Sequence, residues 1–217
     1  MLNLRATSAV PRQLVLAVAA MNGVGVLVAD ESDDAPRSAA AVSLTTADGV
    51  LSDLHAVLLF LAHDKLRASS AFQQAKMFEW LSFARDVDLP ASAWLFPITG
   101  RVKHENPAAT AQAKKDIRRA LQALNDHLAP PRLTLLGSTA DADADADADH
   151  VDLSLADVVV AFALLPLYQL VLDPHFRSSF TNVNAWFVRV MSQPEIRDQV
   201  GQVQLCEKML TAAATTK

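Results

Sequence analysis

Apolar and polar residues follow two different patterns in the two parts of this chain. Up to residue 65, short apolar runs alternate with one-sided helical repeats, and turn residues such as Asp48-Gly49 separate them. The pattern predicts strands at 2–5, 24–29, 41–45 and 50–51 and helices at 11–22 and 53–63, with the strand at 24–29 buried. This order, β-α-β-β-β-α, is that of a thioredoxin-like domain, although other small α/β folds share the same periodicity.

From residue 69 onward the repeats are helical, and no strand is predicted. One apolar stripe recurs at intervals of three and four residues, which is the spacing of a single helix face. It comprises Met77, Trp80, Leu81 and Ala84. We expect this stripe to face the core, although a partner interface would have the same pattern. Pro90 is predicted to end the helix.

A second helix is predicted to begin at Asn106-Pro107. The asparagine side chain suits the cap position, and the missing N–H of a proline costs nothing in the first turn. One face of the helix is apolar, with Ile117, Ala120, Leu121, Leu124 and Leu128, and the opposite face carries Lys114, Lys115, Arg118 and Arg119. We interpret the four cations as a solvated face and not as a binding patch.

The strongest local signal is a helix start at Ser154. Ser154 and Asp157 form a capping-box pattern, in which the hydroxyl accepts the N–H of position N3 and the carboxylate accepts the N–H of the cap residue. Leu153 and Val158 flank the box as the matching hydrophobic staple. Residues 158–165 are apolar on every side, which predicts a buried helix.

The net charge of the chain is concentrated in one repeat. The 24 acidic residues exceed the 19 Lys and Arg by five, which is the number of aspartates in the Asp-Ala repeat at 141–149. We expect a mobile surface loop over 138–150, because like charges repel and neither residue type favours a strand. The rest of the chain is electrically balanced, which argues against partners such as nucleic acid or an anionic membrane.

The sulfur and imidazole groups predict neither a disulfide nor a metal site. The single cysteine, Cys206, has no partner, which favours a reducing, cytoplasmic location. His63, His104 and His127 show no metal-ligand spacing with one another or with Cys206. The longest apolar run of the C-terminal half is far shorter than the ~20 residues that span a bilayer, so no membrane contact is predicted.

Several segments of the helical half carry a resemblance to a known family. They are Trp80–Ala84, Pro90–Pro97, Leu155–Asp157 and, with the highest specificity, a closing segment that comprises Asn182–Phe187, Gln193-Pro194 and Gly201–Met209. With these segments the chain resembles the glutathione-transferase-like domain of the gamma subunits of elongation factor 1. The resemblance implies a glutathione-transferase-like fold, with a thioredoxin-like α/β subdomain at 1–65 followed by an all-α subdomain at 66–217.

In that family the domain acts as a scaffold. The resemblance therefore implies that this chain anchors the guanine-nucleotide exchange subunit of the elongation factor 1 complex and can form a homodimer, without a cofactor. A transferase-like appendix of an aminoacyl-tRNA synthetase is a further interpretation, but such appendices usually lack the segment at 205–209.

The alternative function is a transferase that acts on glutathione or a glutathione-derived thiol. Its site would need a Tyr, Ser or Cys after the first strand, a cis-proline before the third strand and an acidic-Ser pair at a helix start. By position these roles fall on Ser8, Val42 and Asp53-Leu54, so the proline and the second hydroxyl are missing. Asp53 is equally well explained as a helix cap. The residues therefore predict a degraded thiol pocket.

Overall fold

Up to residue 63, strands and helices follow one another in the order that the sequence pattern predicts, and the elements described beyond residue 70 are helices. The computed structural model describes residues 2–29, 41–63, 66–68, 70–103, 106–137 and 153–211. Its strands are β1 Leu2–Ala6, β2 Val26–Val28, β3 Val42–Thr45 and β4 Val50–Leu51. Its helices are α1 Ala9–Met21, α2 Leu54–Leu61, α3 Ala71–Ile98, α4 Pro107–His127, α5 Leu155–Leu170, α6 Pro174–Arg177, α7 Thr181–Met191 and α8 Pro194–Val200. The loop predicted at 138–150 lies outside the described residues, and the boundary proposed between residues 65 and 66 stays a prediction.

The four strands form one mixed sheet in the order β2-β1-β3-β4. β1 pairs in parallel with β2 and antiparallel with β3, and β3 and β4 form a hairpin. At the hairpin turn the Thr46 hydroxyl accepts a hydrogen bond from the Asp48 N–H at 3.1 Å. Gly49 has a φ of 144° there, which side chains rarely allow. After the sheet and α2, the chain continues with the long helix α3 and then with the five helices α4 to α8. This order of elements confirms the predicted fold class.

The prediction that the second strand is buried is wrong. β2 lies at the edge of the sheet, where β1 is its partner among the described strands. Leu27 and Val28 remain 47% and 44% exposed. An apolar run indicates a strand, but the position of that strand in the sheet decides whether both of its faces are covered.

The prediction that Pro90 ends its helix is also wrong. α3 continues for 28 residues and contains both Pro90 and Pro97. A proline inside a helix costs about 3 kcal/mol. Beyond Pro90, however, the helix buries Trp94 and Leu95, and each large apolar side chain contributes about 1.5–3 kcal/mol when it is buried. Burial of Trp94 and Leu95 is therefore large enough to offset the cost of Pro90.

α5 is the central helix of the second subdomain. It packs against α3, α1 and α7, and twelve of its sixteen residues are buried, so almost no side faces solvent. The exceptions include the half-buried Ala163 and Pro166. Its first N–H, on Leu155, donates to the Leu66 carbonyl at 3.0 Å and ties the helix to the segment before α3. Within the described ranges, no helix is both long and apolar enough to cross a membrane.

The two predicted faces of α4 are confirmed. The apolar face is buried at Ile117, Leu121 and Leu124, and this face packs on α3 and α7. On the other face Lys115, Arg118 and Arg119 are exposed, whereas Lys114 is half-buried and its Nζ lies 5.3 Å from the centre of the Trp94 ring. The helix therefore stands at the surface of the subdomain with its cations largely in solvent.

We predict that Asn106→Ala lowers the free energy of unfolding by about 1 kcal/mol. α4 begins where the sequence predicts, and the Asn106 side chain accepts hydrogen bonds from the N–H groups of Ala108 and Ala109, both at 3.2 Å. Alanine would leave these two groups without that acceptor. Urea unfolding followed by circular dichroism measures the change. Asn106→Asp keeps an acceptor and should lose little, so equal losses in both variants would contradict the capping role.

Candidate functional site

A cavity of about 560 Å³ lies where the two subdomains meet. Its walls come from the first turns of α1, the start of α2, the second half of α3 and the middle of α5. Much of the lining is apolar and includes Leu14, Leu54, Leu95, Phe162 and Leu170. Its size falls within the range of pockets that bind small organic molecules.

Four ionisable side chains also line the cavity, namely His55, Arg85, Asp88 and Arg101. Burial lowers the pKa of His55. The negative charge of Asp53 opposes this shift, and the positive charge of Arg85 adds to it. The His55 ring is therefore neutral at pH 7. Much of Asp88 is exposed at the rim, yet desolvation by the wall raises the pKa of its carboxyl, and Arg85 offsets part of this shift. The cavity thus combines an apolar wall with a few charges.

Of the residues predicted for a thiol site, Ser8 and Leu54 line the cavity, and of these two only Ser8 carries a polar side chain. It is the N-cap residue of α1, its backbone is extended, and its side chain makes no capping hydrogen bond. Ser8 is half-buried beside the apolar wall. It is therefore placed where it can donate a hydrogen bond to a bound molecule.

Val42 and Asp53 have other places in the fold. Val42 is 2% exposed and packs in the core below the sheet. The preceding carbonyl, on Ala41, accepts both the N–H and the hydroxyl of Thr7, at 3.0 and 3.3 Å. The Asp53 carboxylate accepts the Ala56 N–H at 3.0 Å and so caps α2. These groups are engaged by the chain itself, and neither Val42 nor Asp53 lines the cavity.

Tyr168 and Cys206 do not line the cavity either. The Tyr168 hydroxyl donates to Oδ1 of Asn184 at 2.7 Å, and burial raises the pKa of that hydroxyl. Cys206 is 5% exposed, its N–H donates to the Tyr168 carbonyl at 2.8 Å, and burial raises the pKa of its thiol. Both groups are therefore protonated and packed at neutral pH. Among the described residues, no three His, Cys, Asp or Glu side chains are arranged to hold a metal ion.

Asp157 is fully buried and joins three parts of the second subdomain. Its Oδ1 accepts hydrogen bonds from the Leu135 N–H at 2.9 Å and from the Trp186 indole N–H at 2.8 Å. Its Oδ2 accepts the N–H and the hydroxyl of Ser154, at 2.9 and 2.6 Å. The Ser154 hydroxyl in turn accepts the Asp157 N–H at 3.3 Å, which completes the capping box. The bonds to Leu135 and Trp186 were not predicted, because no local spacing in the sequence indicates them.

His127, the last residue of α4, binds the loop that contains Leu135. Its Nε2 lies 2.9 Å from the Leu135 carbonyl oxygen, and an Arg132 guanidinium nitrogen lies 3.0 Å from its Nδ1. Because arginine only donates, Nδ1 accepts, and the ring proton is on Nε2, which donates to Leu135. The ring is therefore neutral. Burial lowers its pKa, with Arg132 and Lys76 adding to the shift, while the Leu135 carbonyl and Asp157 oppose it.

Comparison with known proteins identifies the family. Residues 152–194, which span α5 to α7, match the family model described as "Glutathione S-transferase, C-terminal domain". Elongation factor 1-gamma of Artemia salina is 40% identical over 165 residues, which is 75% of this chain and 35% of that protein. The protein of the same name from Danio rerio is 40% identical over 160 residues, or 73% of this chain and 33% of that protein. The chain belongs to the elongation factor 1-gamma family.

Solved structures show the fold of this region of elongation factor 1-gamma. The GST-like domain of elongation factor 1-gamma from Saccharomyces cerevisiae has a TM-score of 0.75 at 20% identity, with 98% of each chain covered. The glutathione transferase URE2P6 from Phanerochaete chrysosporium, in complex with oxidized glutathione, has a TM-score of 0.72 at 14% identity, with 91% of this chain and 94% of that chain covered. Both confirm the glutathione-transferase-like fold. This chain spans about a third of the length of the curated elongation factor 1-gamma proteins that it matches.

We predict that Asp157→Asn lowers the free energy of unfolding by about 3 kcal/mol or more. Whichever way the amide is turned, its NH₂ group faces two donors, which are either those of Ser154 or those of Leu135 and Trp186. Urea unfolding measures the loss. Asp126→Asn, on the exposed side of α4, is the control and should change little.

A second variant keeps the test of this network informative if Asp157→Asn does not fold. Ser154→Ala removes the hydroxyl but leaves the carboxylate, and it should cost about 1 kcal/mol. Losses in Asp157→Asn no larger than in Asp126→Asn would contradict the role assigned to the buried carboxylate.

We predict that the domain loses stability as the pH falls below about 6.5 and that His127 contributes to this loss. The unfolded chain takes up a proton on this imidazole near pH 6.5, whereas the lowered pKa in the fold keeps the ring neutral there. The free energy of unfolding therefore falls between the unfolded-state and folded-state pKa values, and this group adds no further loss below the folded-state value. In His127→Gln the fall measured by urea unfolding should be smaller.

The cause of the His127 shift is tested by nuclear magnetic resonance titration of its ring protons. Arg132→Gln removes a nearby cation and should raise the pKa of His127 towards its ordinary value. An unchanged titration in Arg132→Gln, together with an unchanged pH dependence of stability in His127→Gln, would contradict the geometry described here.

Proposed function

We propose that this chain is a scaffold subunit of the elongation factor 1 complex and that its glutathione-transferase-like domain anchors the guanine-nucleotide exchange subunit. The observation that carries the proposal is the 40% identity to elongation factor 1-gamma over 165 residues. A cytoplasmic location is part of the same proposal, because that is where such a complex would meet the translating ribosome.

The residues at the would-be thiol site support a binding role. Asp53 uses its carboxylate to cap α2, and Val42, the residue that the sequence assigns to the cis-proline position, is buried in the core. The Tyr168 hydroxyl is bonded to Asn184 inside the helical subdomain. A fold in which these groups serve stability has few left for activating a thiol.

The first half of α3 supports a role in contacts between proteins. Phe72 and Phe78 are 72% and 51% exposed there, and large exposed apolar side chains often mark interaction sites. Lys76, which lies between the two phenylalanines, forms an ion pair with Glu79 at 2.7 Å, and this pair adds charged groups beside the apolar ones. We propose this surface, Phe72 to Glu79, as the contact between two copies of the chain, with other faces left for the exchange subunit.

Size-exclusion chromatography with light scattering tests both contacts. We expect the chain alone to have the mass of a dimer and to co-elute with the exchange subunit when the two are mixed. Phe72→Ser combined with Phe78→Ser should give a monomer. Val188→Ser, which removes a 53% exposed apolar residue from α7, is the matched control and should stay dimeric.

Each result of this experiment bears on one contact. Separate elution of the chain and the exchange subunit would contradict the anchoring role. A dimer mass that persists in the double phenylalanine variant would contradict the proposed dimer contact at Phe72 to Glu79. The anchoring role would then depend on co-elution alone.

A thiol transferase is the second candidate, and one observation favours it. The Ser8 hydroxyl lines the cavity and is not used as a helix cap. Conjugation of glutathione to chlorodinitrobenzene measures this activity, and for a scaffold we expect no turnover above the uncatalysed rate. Turnover in the wild-type chain that Ser8→Ala lowers would establish the transferase instead.

A further inference from the structure

The segment between α2 and α3 presents an arginine and a serine to solvent. Arg67 and Ser70 are exposed, whereas Leu66 and Ala68 are only 2% and 8% exposed. Residues 66–68 and 70 lie outside the helices, and Ser70 has an extended backbone, with a φ of −127° and a ψ of 160°. The buried Leu66 and Ala68 hold this segment on the protein, and Arg67 and Ser70 remain accessible to another protein.

The spacing of this arginine and this serine has a chemical meaning. Protein kinases that select basic substrates carry carboxylates that pair with a guanidinium three residues before the reacting serine. The spacing occurs three times in the chain, at Arg5 and Ser8, at Arg67 and Ser70, and at Arg189 and Ser192. The fold decides which of these pairs a kinase can reach.

The first and the third pair are engaged by the fold. Arg5 belongs to β1, an inner strand of the sheet, and Ser8 is half-buried at the cavity. The Arg189 guanidinium donates to the Leu133 carbonyl, and the Ser192 hydroxyl donates to the Arg189 carbonyl at 2.8 Å. A kinase would have to disrupt the sheet or the end of α7 to bind either pair.

The pair of Arg67 and Ser70 has few interactions to lose. In the described ranges, Arg67 has no carboxylate within ion-pair distance. The Ser70 hydroxyl caps α3 by accepting the Gln73 N–H at 3.2 Å. None of residues 71–76 is buried, and the first buried side chain of α3 is that of Met77. Opening of the first turn, which lets a kinase bind Ser70 in an extended conformation, therefore costs little.

We propose that Ser70 is a phosphorylation site for a protein kinase that recognises Arg67, and that the phosphate weakens the contact between two copies of the chain. In the reaction the Ser70 oxygen attacks the γ-phosphorus of ATP, its proton passes to the kinase, and ADP leaves. The second part of this proposal rests on the proposed dimer contact at Phe72 to Glu79, and the first part does not.

The phosphate lies at the edge of that contact. Phe72 follows Ser70 by two residues and is 72% exposed, and the Lys76 Nζ lies 5.9 Å from the centre of its ring. Lys76 is already paired with Glu79, so its charge is largely balanced. A phosphoserine carries a charge of about −1.5 to −2 at pH 7. Association through Phe72 brings the phosphates of the two copies towards each other and removes water from them, and both effects oppose the contact.

Phosphorylation of the full chain in vitro tests the site. The probe is calmodulin-dependent protein kinase II with ATP, because its substrates carry an arginine three residues before the serine. Tandem mass spectrometry should locate phosphate at Ser70 and none at Ser8 or Ser192. Arg67→Gln should lower the rate at least about tenfold, and Ser70→Ala should abolish the incorporation. Arg197→Gln, which removes an exposed cation of α8, is the matched control and should leave the rate unchanged.

Three results would overturn the assignment of the site. They are absence of phosphate from Ser70 in the folded chain, incorporation at Ser69 in place of Ser70, and a rate at Ser70 that Arg67→Gln leaves unchanged.

Light scattering of the unmodified and the phosphorylated chain, over a range of concentrations, tests the effect on the contact. The dissociation constant of the dimer should rise about tenfold on phosphorylation. Lys115→Glu changes the charge by two units on the exposed face of α4 and should have no effect. An unchanged dissociation constant in a chain that is phosphorylated at Ser70 would overturn the second part of the proposal.

Failure of the dimer contact and failure of the phosphorylation site give different results. A monomeric unmodified chain would contradict the dimer contact, and the site would then be judged by the incorporation at Ser70 and its dependence on Arg67. We expect both forms of the chain to co-elute with the exchange subunit, which is proposed to use other faces. Loss of co-elution on phosphorylation, with an unchanged dimer mass, would overturn the assignment of the phosphate to the contact between copies.

Discussion

A carboxylate that is removed from water needs several donors to replace its hydration, and Asp157 has four. They are the N–H groups of Leu135 and Ser154, the Ser154 hydroxyl and the Trp186 indole N–H. The cost of burying such a charge is several kcal/mol, and it is recovered only when the bonds are short and complete. Because the donors come from the start of α5, from α7 and from the loop after α4, one side chain sets the relative positions of all three.

The loop after α4 is held by the groups around this carboxylate. Asp157 accepts the Leu135 N–H, and His127 donates to the Leu135 carbonyl. Arg189 of α7 donates to the Leu133 carbonyl. Burial lowers the pKa of Arg189, and the negative charge of Asp157 opposes this shift. With its first turn fixed in this way, α5 presents Phe162 and its neighbours to the cavity. The wall of the cavity therefore depends on a polar network at the start of the helix.

The two subdomains differ in what their residues do within a shared fold. In the helical subdomain, residues 152–194 match the family model for the glutathione S-transferase C-terminal domain. In the α/β subdomain, Asp53 caps a helix and Val42 fills the core. The glutathione-transferase-like fold is thus present in a chain whose Asp53 and Val42 serve its stability. Fold and chemistry are separable in this way because function resides in a few side chains.

The fold class, the resemblance to the family, the order of the elements up to residue 63 and the helix starts at Asn106 and Ser154 all follow from the sequence. These features depend on residues only a few positions apart, and helical repeats, caps and turns are read at that range. Three features do not follow from the sequence and are seen in the folded chain: β2 is an edge strand, α3 continues through Pro90, and Ser8 lines the cavity whereas Val42 and Asp53 do not. The physical reason is that burial and long-range hydrogen bonds, such as that from Trp186 to Asp157, depend on what lies opposite a residue in space, and local spacing in the chain does not specify this.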